Sequence, residues 1–211
     1  MADSAACAAL VDQVIAIGAD LVRRKLTLAS AGNISFRDPE NPTRFFITAA
    51  ATWFDALTEN DMSHIDLAGT VISGSAQPSS EWRVHAMAYQ TRPDVDAVIH
   101  AHPQYSVLID ALGHPVRLMT LDDVSYVKSV GTTPFAPNAS VSLASGVASQ
   151  LQHHDCVIMS HHGCVAVADT LTMAYRRILI LEEAAENTYR AMTLGDTTTA
   201  FPAEQVLSVH S

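Results

Sequence analysis

The sequence predicts a single α/β domain, on three observations. The chain has 211 residues, of which 48% are hydrophobic and 16% charged, a composition typical of a folded domain with a sizeable core. Helical and strand-like hydrophobic patterns alternate along it. We find no internal repeat and no linker. We therefore expect one domain over residues 1–211, with its core over about 8–195 and a weakly patterned tail at 196–211.

The first part of the chain predicts a long helix followed by strands. Apolar residues recur at helical spacing over residues 5–29. The stretches "NISFR" and "RFFITAA" predict strands, and a hairpin follows with Ala68 and Gly69 at its tip. Pro78 and the serines after it favour the start of a second helix, with Glu81 in its first turn, and Arg92-Pro93 ends that helix.

The second part alternates strands and helices. "VDAVIHAHP" predicts a strand buried on both faces, because its apolar run is continuous. Helices are predicted over "PQYSVLIDALG" and "NASVSLASGVASQL", and a strand pair over "DCVIMSHHGCVAVAD", with Gly163 near its turn. The longest helical pattern then runs to Gly195.

Composition narrows the class of partner. The net charge of −10 argues against nucleic acid or an anionic membrane, and leaves a small-molecule substrate as the expected partner. The amino-terminal residues show no signal-peptide pattern, and we expect no apolar run of the roughly 18 residues that span a bilayer. Three cysteines without metal-like spacing favour a reduced compartment. We therefore predict a cytoplasmic protein.

Histidines close two apolar runs. His100 and His102 lie two apart on a predicted strand, so both rings can face one side and bind one ion. Imidazole suits Zn²⁺, whose catalytic sites usually keep three protein ligands. His161 or His162 would supply the third ligand. The alternative is that these are ordinary core or surface histidines.

Polar residues near two turns are the other candidates. Glu81 could be a metal ligand or a general base, or simply a helix N-terminal glutamate. His85 lies four residues later on the same helical face, where it could orient the site or pack. Asn33, Ser79 and Ser80 could hold an anion, although turn chemistry alone also explains them.

Taken together, these segments resemble the class II aldolase/adducin family, and most closely its L-fuculose-1-phosphate aldolase branch. The most specific match is "PSSEWRVHAMAYQTRPDVDAVIHAHP" at 78–103. "SAGNISFR", "LTENDM" and "SHHGCVAV" match in the same order, so the resemblance covers roughly residues 8–195.

The resemblance implies a three-layer α/β/α fold around a mostly antiparallel sheet. It implies a homotetramer with active sites between subunits and a divalent metal, usually Zn²⁺, with Mn²⁺ as another possibility. The metal ligands would be His100, His102 and His162. Glu81 would be the catalytic acid/base, and the substrate phosphate would be bound by Asn33, Ser79 and Ser80.

The implied activity is that of a carbon–carbon lyase. It would cleave a ketose phosphate or a similar aldol by a retro-aldol reaction through a metal-stabilised enediolate. Glu at position 81, rather than Asp, favours the aldolase over the related epimerase branch. Two alternatives stay open: a decarboxylase of a keto or aromatic acid on the same metal scaffold, and a non-catalytic, adducin-like interaction module.

The chain also departs from the family pattern. The phosphate loop usually runs Thr-Pro-Thr-Gly, whereas here Ala50 and Ala51 replace its second threonine and its glycine. Thr52 could supply a hydroxyl after a local shift. The family's catalytic tyrosine aligns with Tyr126 only across a gap, and Asp122 and Asp123 lie in the same insert, where they could face the site.

Overall fold

The computed structural model describes residues 5–205 and contains a mixed eight-stranded sheet with helices on both faces. The strands are β1 (Asn33–Arg37), β2 (Arg44–Thr48), β3 (Met62–Asp66), β4 (Val71–Gly74), β5 (Ala97–Ala101), β6 (Val130–Thr133), β7 (Cys156–Met159) and β8 (Gly163–Ala168). The helices are α1 (Ala5–Arg23), α2 (Trp82–Thr91), α3 (Gln104–Ala111), α4 (Val141–Leu151) and α5 (Leu171–Thr193).

The sheet order is β4-β3-β2-β1-β5-β8-β7-β6. Its pairs are antiparallel except for β6 with β7, which run parallel. Helices α1 and α5 pack on one face, with α3 against α5, and α2 and α4 pack on the other. The expected three-layer fold with a mostly antiparallel sheet is therefore confirmed.

Strand β5 lies in the middle of the sheet, between β1 and β8, and all five of its residues are buried. The predicted burial on both faces is thus correct. Its alternate side chains enter the two separate apolar clusters, Ala97 and Ile99 on the α1/α5 side and Val98 on the α2/α4 side. The central position of β5 makes its end a rigid support for the polar residues that follow.

The first helix is shorter than predicted. It ends at Arg23 rather than near residue 29, and Lys25 and Ala29 take positive φ angles of 61° and 53° that turn the chain back toward β1. Leu26 is nevertheless buried in the same core as the helix, so the apolar spacing continues beyond the last helical turn. The spacing of apolar residues alone therefore does not show where the helix ends and the following loop begins.

The expectation about apolar runs is also corrected at α1. By length and composition alone, Ala5–Arg23 is a helix that could cross a membrane. Its buried residues join the core beside α5 and the short 3₁₀ turn at Phe54–Ala56. Core packing of this kind satisfies the apolar face without a bilayer.

Two elements between α3 and α4 were not predicted. A π-helical turn spans Asp123–Val127, and β6 forms the edge of the sheet at Val130–Thr133. Strand β6 has only four residues, one of them glycine, and its stability comes from parallel pairing with β7. Such a short stretch has too little local pattern to identify it. Of the predicted tail, residues 206–211 lie outside the described residues.

Candidate metal centre

The sheet brings the candidate residues to one end. Asn33, at the start of β1, pairs with His100, near the end of β5. Ala101 pairs with Cys164, at the start of β8. Because these neighbours are antiparallel, the start of β1, the end of β5 and the β7–β8 turn lie side by side.

His100 and His102 point toward each other at this end. His100 lies on β5 and is buried. The prediction that His102 also lies on the strand is wrong, because the strand ends one residue before it, at Ala101. The backbone N–H of His102 donates to the carbonyl of Leu26 at 2.9 Å, which anchors the residue after the strand ends. The two Nε2 atoms are 2.9 Å apart.

The β7–β8 turn separates the two histidines that sequence alone could not distinguish. His161 has a φ of 59° and is exposed. His162 turns inward, with its ring centroid 5.0 Å from that of His100 and 5.3 Å from that of His102. The structure therefore brings His162, and not His161, to the other two rings.

Gly163 makes this close approach possible. A Cβ on this residue would lie 2.6 Å from the carbonyl oxygen of Ala101 and 2.7 Å from ring carbons of His100 and His102. Any side chain would push the β7–β8 turn away from β5. Sequence analysis placed Gly163 only at the turn, although its position directly after the histidine pair was the available signal.

The three imidazoles could hold a metal ion, since their ligand atoms lie within 4.8 Å of one another. The Nδ1–H of His100 donates to the carbonyl of Cys164 at 3.0 Å, which leaves the Nε2 lone pair directed inward. Burial, together with the neighbouring His100 and His162, lowers the pKa of His102 to about 3, and burial also lowers the pKa of His162. These two rings are therefore neutral at pH 7, as metal ligands must be.

Glu81 places a carboxylate against this triad. It is the N-cap residue of α2, one position before the helical turn in which it was predicted. Its Oε2 is 3.1 Å from Nε2 of His100, and its Oε1 is 3.5 Å from Nε2 of His162. Burial raises the pKa of Glu81, but the neighbouring imidazoles, His100 above all, and the hydrogen bond from Asn33 outweigh it and hold that pKa below its usual value.

The donor set fits a divalent cation. With Nδ1 protonated, Nε2 of His100 is an acceptor that faces a carboxylate oxygen, so a proton or a metal ion is needed between them. Glu81 Oε1 is buried without a hydrogen-bond partner, which is costly unless a ligand satisfies it. Three imidazole nitrogens and a nearby carboxylate are a typical zinc environment.

Asn33 lies behind Glu81 in a buried polar chain. Its Nδ2 donates to Glu81 Oε2 at 3.0 Å, and its Oδ1 is 2.5 Å from Nε2 of His85. Nδ1 of His85 is 2.6 Å from the Ser35 hydroxyl, which is 2.6 Å from the hydroxyl of Tyr89. Ser35 and Tyr89 were not among the predicted site residues. The available signal was that Ser35 lies two residues after Asn33, and Tyr89 four after His85.

A cavity of about 150 Å³ adjoins Glu81, His102 and His162. Ser79 and Ser80 both line it: Ser79 is buried and accepts the backbone N–H of Glu81 at 3.3 Å, and Ser80 is exposed. Its described lining contains no lysine or arginine. Two larger surface clefts, of about 430 and 550 Å³, contain none of the three histidines.

The altered loop forms one wall of this cavity. Ala50 and Ala51 line it, and Ala51 has a φ of 59°, a conformation that favours glycine. The hydroxyl of Thr52 donates to the carbonyl of Ala49 at 2.9 Å, so its hydrogen closes the turn instead of facing a ligand. Thr52 therefore does not replace the donor that the alanines lack.

The three residues of the mid-chain insert lie away from the cavity lining. Asp123 is buried and accepts the backbone N–H groups of Met119 and Thr120, both at 2.8 Å. Asp122 is exposed. Tyr126 packs against the core, with the Arg176 guanidinium 4.8 Å from its ring centroid. None of these three side chains therefore lines the cavity beside the histidines.

A family profile, a related sequence and a solved structure all match this chain and point to the same family. The profile of the Class II Aldolase and Adducin N-terminal domain matches residues 12–189. The L-fuculose phosphate aldolase of Methanococcus maripaludis strain C7 is 33% identical over 80% of this chain and 90% of its own. A solved L-fuculose 1-phosphate aldolase superposes with a TM-score of 0.87 at 30% identity, over 95% of this chain and 93% of its own.

A further solved structure broadens the range of related activities. YgbL of Klebsiella pneumoniae, described as a candidate aldolase/epimerase/decarboxylase, has a TM-score of 0.86 at 26% identity. The match covers 95% of this chain and 97% of YgbL.

Proposed function

Because the chain belongs to the class II aldolase and adducin family, we propose that it is a metal-dependent lyase that cleaves a ketose phosphate or a similar aldol. The observation that carries the metal dependence is the convergence of three imidazoles on a buried carboxylate oxygen that has no hydrogen-bond partner. A divalent cation would satisfy all these groups together.

In this proposal His100, His102 and His162 are the metal ligands. The Cys164 carbonyl fixes the ring of His100 from behind, so that its Nε2 points to the metal. When bound, a divalent metal, most simply Zn²⁺, would act as a Lewis acid on the substrate's carbonyl and adjacent hydroxyl oxygens.

Glu81 is the proposed acid/base. Retro-aldol cleavage breaks a carbon–carbon bond, releases an aldehyde and leaves a carbanion equivalent that must gain a proton. The carboxylate of Glu81 lies beside the triad and borders the cavity, so a substrate bound there would meet it. In cleavage, the carboxylate would take up the proton that the substrate's hydroxyl loses as it becomes the aldehyde, directly or through water, and would then deliver a proton to the carbon. In the reverse reaction both transfers run backward.

The distal group of the substrate would occupy the cavity next to Ser79 and Ser80. Hydroxyl and backbone N–H groups there could bind a phosphate or a sugar hydroxyl. Asn33 could contribute its second N–H, because its first donates to Glu81. A sugar phosphate is the favoured substrate class, and a hydroxy or keto acid is the other.

Cytoplasmic localisation and a homotetramer with active sites between subunits also belong to the proposal.

A decarboxylase is the second candidate. The alanines at positions 50 and 51 reduce the donors available to a phosphate, and the similar protein YgbL is described as a candidate aldolase, epimerase or decarboxylase. Loss of CO₂ from a β-keto acid leaves the same kind of carbanion, so the same metal and acid would serve.

Product analysis separates these activities. Zinc-loaded protein is incubated with L-fuculose 1-phosphate, with L-fuculose and with a β-keto acid, while aldehyde and CO₂ are followed. We expect aldehyde release from one or both sugars, abolished by EDTA. Release of CO₂ without aldehyde would establish the decarboxylase instead. Protein that holds much less than about one metal ion per chain and releases neither would fit an adducin-like interaction module.

A further inference from the structure

We propose that His85 is a positioning residue that acts through Asn33 to fix the carboxylate of Glu81 against the metal centre. This inference rests on the proposed function, because it assigns a role to the residues behind the proposed acid/base. It concerns a buried histidine that belongs neither to the described cavity lining nor to the group of three candidate ligands.

The direction of each hydrogen bond follows from Glu81. Nδ2 of Asn33 donates to Glu81 Oε2, 3.0 Å away, so the NH₂ group of the amide faces the carboxylate. The amide oxygen of Asn33 then faces Nε2 of His85 at 2.5 Å. Two acceptors cannot face each other at that distance, and Nε2 of His85 must carry the proton.

The rest of the chain supports the same tautomer. With Nε2 protonated, Nδ1 of His85 is an acceptor, and the Ser35 hydroxyl donates to it over 2.6 Å. The Ser35 oxygen in turn accepts the hydroxyl of Tyr89, 2.6 Å away. Every donor from Tyr89 to Asn33 therefore points toward Glu81, and each link has one consistent direction.

His85 is also held in one protonation state. It is fully buried, and this burial, more than the neighbouring imidazole of His100, lowers its pKa to about 3. A neutral ring with one fixed N–H can donate to the side-chain oxygen of Asn33 and so keep that amide in one orientation. Tyr89 ends the described chain of bonds and is itself buried, so the chain positions groups and offers no path for protons to solvent.

The hydrogen-bonded network connects helix α2 to strand β1. Glu81 and His85 lie one turn apart at the start of α2, and Asn33 and Ser35 lie on the same side of β1. The network therefore ties the helix terminus that carries Glu81 to the central sheet. Without it, the carboxylate would depend on its contacts with His100 and His162 alone.

The test compares two replacements of similar size. In His85→Gln, the side-chain amide can place an N–H near the original Nε2 and still donate to Asn33; in His85→Leu it cannot. For zinc-loaded protein and its best aldol substrate, we expect His85→Leu to lower kcat about 10- to 100-fold, with KM and zinc content little changed. His85→Gln should recover most of that loss.

A crystal structure of each zinc-loaded variant gives a readout that does not depend on activity. We expect Glu81 to be displaced or in several rotamers in His85→Leu, and in its original place in His85→Gln. A folded His85→Leu protein with wild-type kcat and an unmoved Glu81, or equal losses in both variants, would overturn the proposal.

Two further outcomes remain distinguishable. If His85→Leu does not fold, Asn33→Ala applies the same test from the other side of the contact, and an unchanged kcat would overturn the proposal. If the zinc-loaded wild type cleaves no aldol, the proposed function fails on its own. The position of Glu81 in the variant structures then still decides whether His85 positions it.

Discussion

Replacing His102 with alanine is expected to remove the metal and the lyase activity together. His102 supplies one of three proposed nitrogen ligands, and its Nε2 is 2.9 Å from that of His100. A three-ligand site leaves no protein group in reserve apart from Glu81, which the proposal needs for proton transfer. We expect metal content to fall from about one ion per chain to below about one tenth, and activity to fall at least about 1,000-fold.

The matched control is His161→Asn. His161 belongs to the same sequence pair as His162 but is exposed, and asparagine tolerates its positive φ. This variant should keep both metal and activity. Elemental analysis of the two purified variants provides the measurement, and a His102→Ala protein with stoichiometric metal would remove His102 from the ligand set.

Replacing Glu81 with glutamine is expected to separate metal binding from catalysis. The amide has nearly the shape of the carboxylate, and its oxygen can still accept from Asn33. It cannot take or give a proton at substrate carbon. We expect nearly full metal content with a fall in turnover of roughly 100- to 10,000-fold, the range usual for loss of a general acid or base.

Glu40→Gln is a suitable control, because Glu40 is exposed on the loop after β1. Like Glu81→Gln, it removes one negative charge, but at a position outside the site. Steady-state kinetics on zinc-loaded protein gives the comparison. Near-normal turnover in Glu81→Gln would exclude Glu81 as the acid/base and direct attention to other groups at the cavity rim.

Much of the fold could be predicted from the sequence where local pattern and tertiary packing agree. The continuous apolar run of β5 was sufficient to predict a strand buried on both faces. The hydrophobic pattern gave the wrong structure, or none, where tertiary packing rather than local sequence determines the backbone conformation. Leu26 continues the spacing of α1 from a loop, and β6 depends on its pairing with β7.

The site shows the same division. The spacing of His100 and His102 suggested that their rings could meet, but the choice of His162 over His161 rested on a family resemblance until the positive φ of the turn was known. The partnership of Asn33 with Glu81 was unpredictable, because a contact across 48 residues leaves no local signal. The resemblance assigned Asn33 to the substrate phosphate, and that role stays a prediction.

Proton exchange into a ketone is the sharpest test of the proposed metal-dependent aldol chemistry. Zinc-loaded protein is incubated in D₂O with dihydroxyacetone phosphate, and in parallel with dihydroxyacetone, while the hydroxymethyl protons are followed by NMR. We expect one proton of the prochiral pair to exchange stereospecifically, EDTA to abolish the exchange, and Glu81→Gln to slow it. If protein that holds about one zinc ion per chain exchanges no proton in either ketone, the proposed metal-dependent aldol chemistry is wrong.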